Sequence, residues 1–111
     1  MSYQEYQRAT LFFDSKDYSG AARILAPIVD ADPENRAAVE LLGRSYFHSA
    51  QLGRAELTFQ RLIELDPGNG WAYEVLGRTL ERQNRADQAA RYRKLARAMG
   101  QPGADGAVLP V

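Results

Sequence analysis

The sequence predicts an all-α chain, a right-handed superhelical array of three helix-turn-helix pairs, that is, an α-solenoid. Three observations carry that expectation. Laid on itself at an offset of 34 residues, "LLGRSY" at 41–46 meets "VLGRTL" at 75–80. The small residues Ala9, Gly43 and Gly77 fall in one register and Ala21, Ala55 and Ala89 in another, while Asp32-Pro33 and Asp66-Pro67 share the same frame. Within each unit the apolar residues recur at helical spacing. A fixed period of this length marks a helical repeat array.

The first unit, about residues 2–35, places Ala9 and Phe12 on one helix and Tyr18, Ala21, Leu25 and Ile28 on the next. Pro27 lies inside that second helix and is expected to kink it or to start a tighter last turn. Pro33 stops it, because proline lacks the N–H and disfavours helix in the residue before it. The second unit, about 36–69, carries Val39, Leu42, Tyr46 and Phe47, then Ala55, Phe59, Leu62 and Ile63, and ends at Pro67. Gly53 and the polar "HSAQ" before it are expected to form the turn between its helices. Gly43 in mid-helix costs roughly 1 kcal/mol relative to alanine. A close crossing of the partner helix, with Ala55 as the matching small surface, would account for it.

The third unit, about 70–100, keeps Tyr73, Leu76-Gly77, Leu80, Ala89 and Ala96 but departs twice. Arg93 stands where Leu25 and Phe59 stood, and Ala86 where Tyr18 and Leu52 stood. Those earlier side chains are expected to pack on the following repeat, and "RYRKLARA" reads instead as the polar outer face that a terminal repeat needs. Residues 1–100 are thus read as one domain and 101–111 as a Pro/Gly-rich tail. That tail, "QPGADGAVLPV", reads either as a mobile terminus or as a short extended ligand for the chain's own groove or a neighbour's.

The frame resembles the tetratricopeptide repeat family. The resemblance rests on Leu42-Gly43, Tyr46, Ala55, Phe59, Leu62 and Pro67, and on Tyr73, Leu76-Gly77, Leu80, Ala89 and Ala96, with a looser first unit. It implies a scaffold for protein–protein interaction and leaves the partner open, since function lives in sites placed on a fold. Family members that hold the C-terminal carboxylates of heat-shock chaperones use a lysine–asparagine–asparagine–lysine–arginine set. The corresponding places here carry arginine, threonine and phenylalanine, which speaks against that particular ligand.

Stacked helix pairs curve, and the first helix of each lines the concave face. The face opposite the packing stripe gives the candidate groove. It takes Tyr3, Tyr6, Thr10 and Phe13 from repeat one, Glu40, Arg44, Phe47 and His48 from repeat two, and Trp71, Glu74, Arg78 and Arg82 from repeat three. Aromatics and arginines are the residue types in which binding energy concentrates. Arg44 and Arg78 hold equivalent places and form a candidate clamp for a carboxylate, from a peptide C-terminus or an acidic side chain. The competing reading makes Glu40–Arg44 and Glu74–Arg78 ordinary i,i+4 surface pairs.

Composition narrows the rest. The 111 residues carry 14 basic and 14 acidic side chains, which argues against a general polyanion or nucleic-acid binder. With no cysteine, disulfides, thiolate metal sites and cysteine nucleophiles are excluded. No apolar run suggests a signal peptide or a membrane span, so a soluble cytoplasmic protein is the expectation. His48 is the single histidine, with Arg44 and Leu52 as its neighbours four residues away, so no metal-ligand spacing surrounds it. The "DADPE" at 30–34 contains Pro33 and lacks a calcium-loop glycine, and Gly68 and Gly70 flank Asn69 in a turn rather than a phosphate loop.

No catalytic residue, metal or cofactor is therefore expected. Charge is uneven: residues 1–40 hold four basic and seven acidic side chains, residues 78–97 seven basic and two acidic. That pattern reads as solvated ends or as head-to-tail contact between copies. The expected function is a non-catalytic adaptor or co-chaperone-like scaffold binding a peptide or helix in its groove. The alternative is a self-assembling structural module, joined through its ends or its tail.

Overall fold

The computed structural model describes residues 3–101 and 110–111, and these form six helices in chain order. They are α1 (Tyr3–Asp14), α2 (Tyr18–Ala31), α3 (Arg36–His48), α4 (Leu52–Leu65), α5 (Gly70–Arg82) and α6 (Ala86–Ala98). Each helix packs on the next along the chain, so the six make an all-α helical repeat solenoid with extents of 38 × 24 × 22 Å. Residues 102–109 of the tail lie outside the described residues.

The boundaries repeat as faithfully as the core. Asn35 and Asn69 cap α3 and α5, their side-chain oxygens accepting from the backbone N–H groups of Ala38 and Ala72, each at 3.2 Å. Asp17 does the same for α2, accepting from Gly20 N–H at 2.9 Å. Each of these oxygens satisfies one of the orphan donors at a helix start.

Within each pair the first helix ends in a residue with positive φ: Lys16 (65°), Ala50 (60°) and Asn84 (61°), again 34 apart. Around Ala50 the Gln51 N–H reaches Tyr46 O at 2.8 Å and the Ala50 N–H reaches Phe47 O at 3.1 Å. That is the paired 6→1 and 5→2 pattern of a Schellman stop. Lys16–Asp17 and Asn84–Arg85 repeat it. The expected turn glycine, Gly53, is instead inside the first turn of α4 with open space around it. The hydrogen-bonded stop needs its left-handed residue three places earlier, where this chain has alanine.

Two apolar clusters fill the array. Ala9, Ala21, Leu25, Ile28, Ala38, Leu41 and Leu42 belong to one; Val39, Phe59, Leu62, Val75, Leu76 and Leu80 belong to the other. Val29 and Tyr46 pack against both and join them. Gly43 is explained by Phe59 rather than by Ala55: a Cβ at Gly43 would lie 2.6 Å from the Phe59 ring. Phe59 thus covers Gly43 within its own repeat and also reaches the next, sharing a cluster with Ala72, Val75 and Leu76 and meeting Trp71 edge-on at 6.0 Å between ring centroids.

Pro27 does not end α2, which continues to Ala31. The N–H of Asp32 still bonds Ile28 O at 2.9 Å, so the proline removes one helical hydrogen bond and the chain keeps its helix beyond it.

In repeat three Arg93 turns inward. Its stem covers Gly77 as the Phe59 ring covers Gly43, and its guanidinium meets Glu74 at 3.2 Å and Glu81 at 2.8 Å. Burial works against that charge, but the hydrogen bonds Arg93 donates to Glu81 and Glu74, with the negative charge of those carboxylates, outweigh it and raise the Arg93 pKa above its ordinary range. Arg91, Lys94 and Arg97 do face solvent, together with Leu95 at 46% exposure.

Candidate functional site: the face of α1, α3 and α5

The candidate groove residues come from the odd-numbered helices, and the structure sorts them into three groups. Phe13, Arg44, Phe47, His48 and Arg82 are linked by contacts, while Trp71 on α5 meets Phe59. The Phe13 ring lies 5.9 Å from His48, and Arg44 stands 4.6 Å over Phe13. His48 also meets Phe47 edge-on at 5.5 Å. Arg82 crosses from α5 to α3, stacking 4.7 Å over Phe47 and donating from Nη1 to Phe47 O at 3.0 Å. Stacked guanidinium groups of this kind keep their charge while covering apolar rings.

The second group lies toward the N-terminal end of the groove. Tyr6 is half-buried, and burial, then the nearby Glu40 carboxylate, pushes its phenol above the ordinary range. Arg44 and Tyr3 also lie near enough to act on that phenol. Tyr3 is 72% exposed, and Thr10 is half-buried, its hydroxyl donating to Tyr6 O at 3.1 Å. Glu40 and Arg44 do not form an ion pair within the described residues; Arg44 prefers the Phe13 ring.

The third group is withdrawn from the groove. Glu74 is 1% exposed, held by Arg78 Nε at 3.1 Å and by Arg93 Nη2 at 3.2 Å. Expected as a groove residue, it is a core carboxylate, because Arg93 behind it draws it inward. Its Oε1 is buried without a hydrogen bond from any described residue. Arg78 is therefore tied to a buried partner, whereas Arg44 and Arg82 lie on aromatic rings.

Three residues outside the expected groove set also take part. Tyr18, read as an inter-repeat packing residue, stacks on His48 with centroids 4.7 Å apart. Pro110 and Val111 come back onto α3 and α5. Trp71 Nε1–H donates to Pro110 O at 3.0 Å, and His48 Nε2 lies 2.6 Å from Val111 O. A main-chain oxygen only accepts, so that histidine nitrogen carries the proton. Val111 is 9% exposed and belongs to the same apolar cluster as Phe47. The apolar end of "AVLPV" was the signal for it.

Comparison with known proteins places this arrangement. Tetratricopeptide repeat family models match residues 6–70 and 58–91. The chain belongs to the tetratricopeptide repeat family. It is a protein-interaction module. No curated protein matches it. Among solved structures it is similar to MamA (residues 41 to the end) from Desulfovibrio magneticus RS-1, at 25% identity and a TM-score of 0.81. The match covers 86% of this chain and 54% of that one, so the chain spans about half the length of that structure.

It is also similar in fold to SycD, the Yersinia enterocolitica type III secretion chaperone, solved in complex with a peptide of the translocator YopD. The TM-score there is 0.82 at 16% identity, covering 94% of this chain and 77% of that one. No helix among the described residues is long and apolar enough to cross a membrane.

Proposed function

We propose that this tetratricopeptide module is a non-catalytic adaptor that binds an extended segment of a partner protein along the face of α1, α3 and α5. The observation that carries the reading is the continuous run of Phe13, Arg44, Phe47, His48 and Arg82 across three helices. Aromatic rings overlaid by guanidinium groups give apolar area and hydrogen-bond donors together, the combination found at binding hot spots. The SycD complex is a precedent for a bound peptide on this fold.

Acidic or carboxylate groups on the partner would meet Arg44 and Arg82, with Arg78 contributing from beside Glu74. The cytoplasmic setting expected from the sequence is part of the same proposal. The test is capture of partners from source-cell lysate by wild type and by Arg44→Glu/Arg82→Glu, after circular dichroism shows both fold. Arg78 is left intact because its substitution would disturb buried Glu74. A partner held by wild type and lost by the variant is the expected result; one held equally by both moves the site to another face.

A second reading, head-to-tail self-assembly, has its own observation. Leu11 occupies the place of buried Ser45 and Thr79 yet is 66% exposed. It lies on the end helix whose neighbouring cleft is lined by Arg8, Phe12, Ile24 and Pro27. Sedimentation at low salt and high concentration decides this: a monomer under those conditions removes it.

A further inference from the structure

The seat around Trp71 and His48 is occupied by the chain itself. We propose that it recognises two successive main-chain acceptors, the second on a small branched aliphatic residue, and that Pro110-Val111 fills it intramolecularly as a built-in competitor for the partner segment. The inference deepens the groove reading above and rests on it, since it names the chemistry that the groove prefers.

Hydrogen bonding to the main chain and burial of the Val111 side chain select the occupant. Two successive main-chain oxygens, of Pro110 and Val111, are each met by a donor, and the two donors stand on different helices: Trp71 on α5 and His48 on α3. Trp71 has only a donor to offer and the protonated His48 nitrogen only a donor here, so the seat is matched to main-chain acceptors. The Val111 side chain is 9% exposed in the apolar cluster that includes Phe47 and Trp71's neighbour Phe59.

A charged side chain at that position would lose water without gaining a partner. The arginines at the groove thus recognise what flanks the dipeptide, and the seat recognises the dipeptide. The tail leaves α6 close by: Gln101 lies against Gly70, the residue before Trp71. A segment tethered so near its seat acts at an effective concentration on the order of millimolar.

Trp71 is the single tryptophan and reports on its own seat. The experiment compares full-length wild type with Val111→Asp, both shown folded by circular dichroism, and titrates each with a synthetic peptide of residues 104–111 up to millimolar concentration. The expected result has two parts. Trp71 emission moves to longer wavelength in Val111→Asp, and the peptide binds that variant at least about tenfold more tightly than wild type, whose competent fraction is small. Failure of either part overturns the proposal, because a tail held by its tether must also bind when added freely.

Wild-type emission is to stay constant over about a hundredfold dilution; a red shift on dilution would make the occupant a second copy's tail and overturn the intramolecular assignment. The two readings fail separately. Partner capture lost in Arg44→Glu/Arg82→Glu with no peptide binding to Val111→Asp keeps the groove and removes self-occupancy. Peptide binding with partner capture indifferent to those arginines does the reverse.

Discussion

Repeats two and three share a 34-residue frame and fill the same hole with opposite chemistry. Phe59 covers Gly43 and is fully buried, and Glu40 nearby stays half-exposed. Arg93 covers Gly77 with its aliphatic stem, and Glu74, the counterpart of Glu40, is drawn in to 1% exposure. A frame fixed by backbone approach therefore demands a long side chain at this place but does not demand an apolar one. The consequence of the choice is electrostatic: an arginine there organises Glu74, Arg78 and Glu81 into one network and takes Glu74 away from the groove.

The most forceful way to break this comparison is Arg93→Phe, which transplants the knob of repeat two into repeat three. The ring would cover Gly77, but Glu74 would keep only Arg78. Stability is expected to fall by roughly 3 kcal/mol, the lower end for a broken buried pair because both arginines are partly exposed. Adding Glu74→Leu is expected to return most of that loss, since an apolar replacement of a buried ion pair is often neutral. Urea unfolding of the two single variants and the double variant reads it. Additive losses would show that Arg93 and Glu74 do not act as a unit.

Gly43→Ala sharpens the comparison at the other repeat. Propensity alone favours alanine by about 1 kcal/mol. The added Cβ would lie 2.6 Å from a Phe59 ring that is fully buried, so the ring or the helix must move, at a cost of about 1–3 kcal/mol. A net loss is the expected outcome in thermal or urea unfolding. A net gain would mean that the helices have room to separate, and the reading of Gly43 as a close-approach residue would fail.

These cases show why the fold was legible and the site only partly so. Repeat period, small-residue register and Asp-Pro stops are properties of neighbours in sequence, and they place all six helices. Periodicity also puts Phe13, Arg44, Phe47, His48 and Arg82 on the first helices, where their side chains touch one another. Glu74 was misplaced because its direction depends on Arg93, nineteen residues away in sequence and meaningful only once α6 packs on α5. The register put Tyr18 against the following repeat, but its partner His48, like the pairing of Pro110-Val111 with Trp71 and His48, is a tertiary choice with no local period to betray it. The turn residue was misread for a different reason: glycine is the usual occupant of positive φ, and Gly53 stood close enough to attract the assignment.

That misreading yields the smallest and cleanest of the expected effects. Lys16, Ala50 and Asn84 hold the same left-handed stop with φ between 60° and 65°, and they differ in how well they tolerate it. A Cβ is strained in this region, while asparagine suffers less because its side chain bonds locally. Glycine removes the strain but loses more entropy on folding, so the net gain from Ala50→Gly is expected to be about 0.5–1 kcal/mol. Lys16→Gly is expected to match it, because Lys16 is exposed and has only its backbone to relieve. Asn84→Gly is expected to gain little. The order of the three midpoints in urea, rather than any one of them, is the measurement. If Asn84→Gly gained as much as Ala50→Gly, strain at the Cβ would not be what distinguishes the three stops, and the hydrogen-bonded turn alone would have to account for their shared geometry.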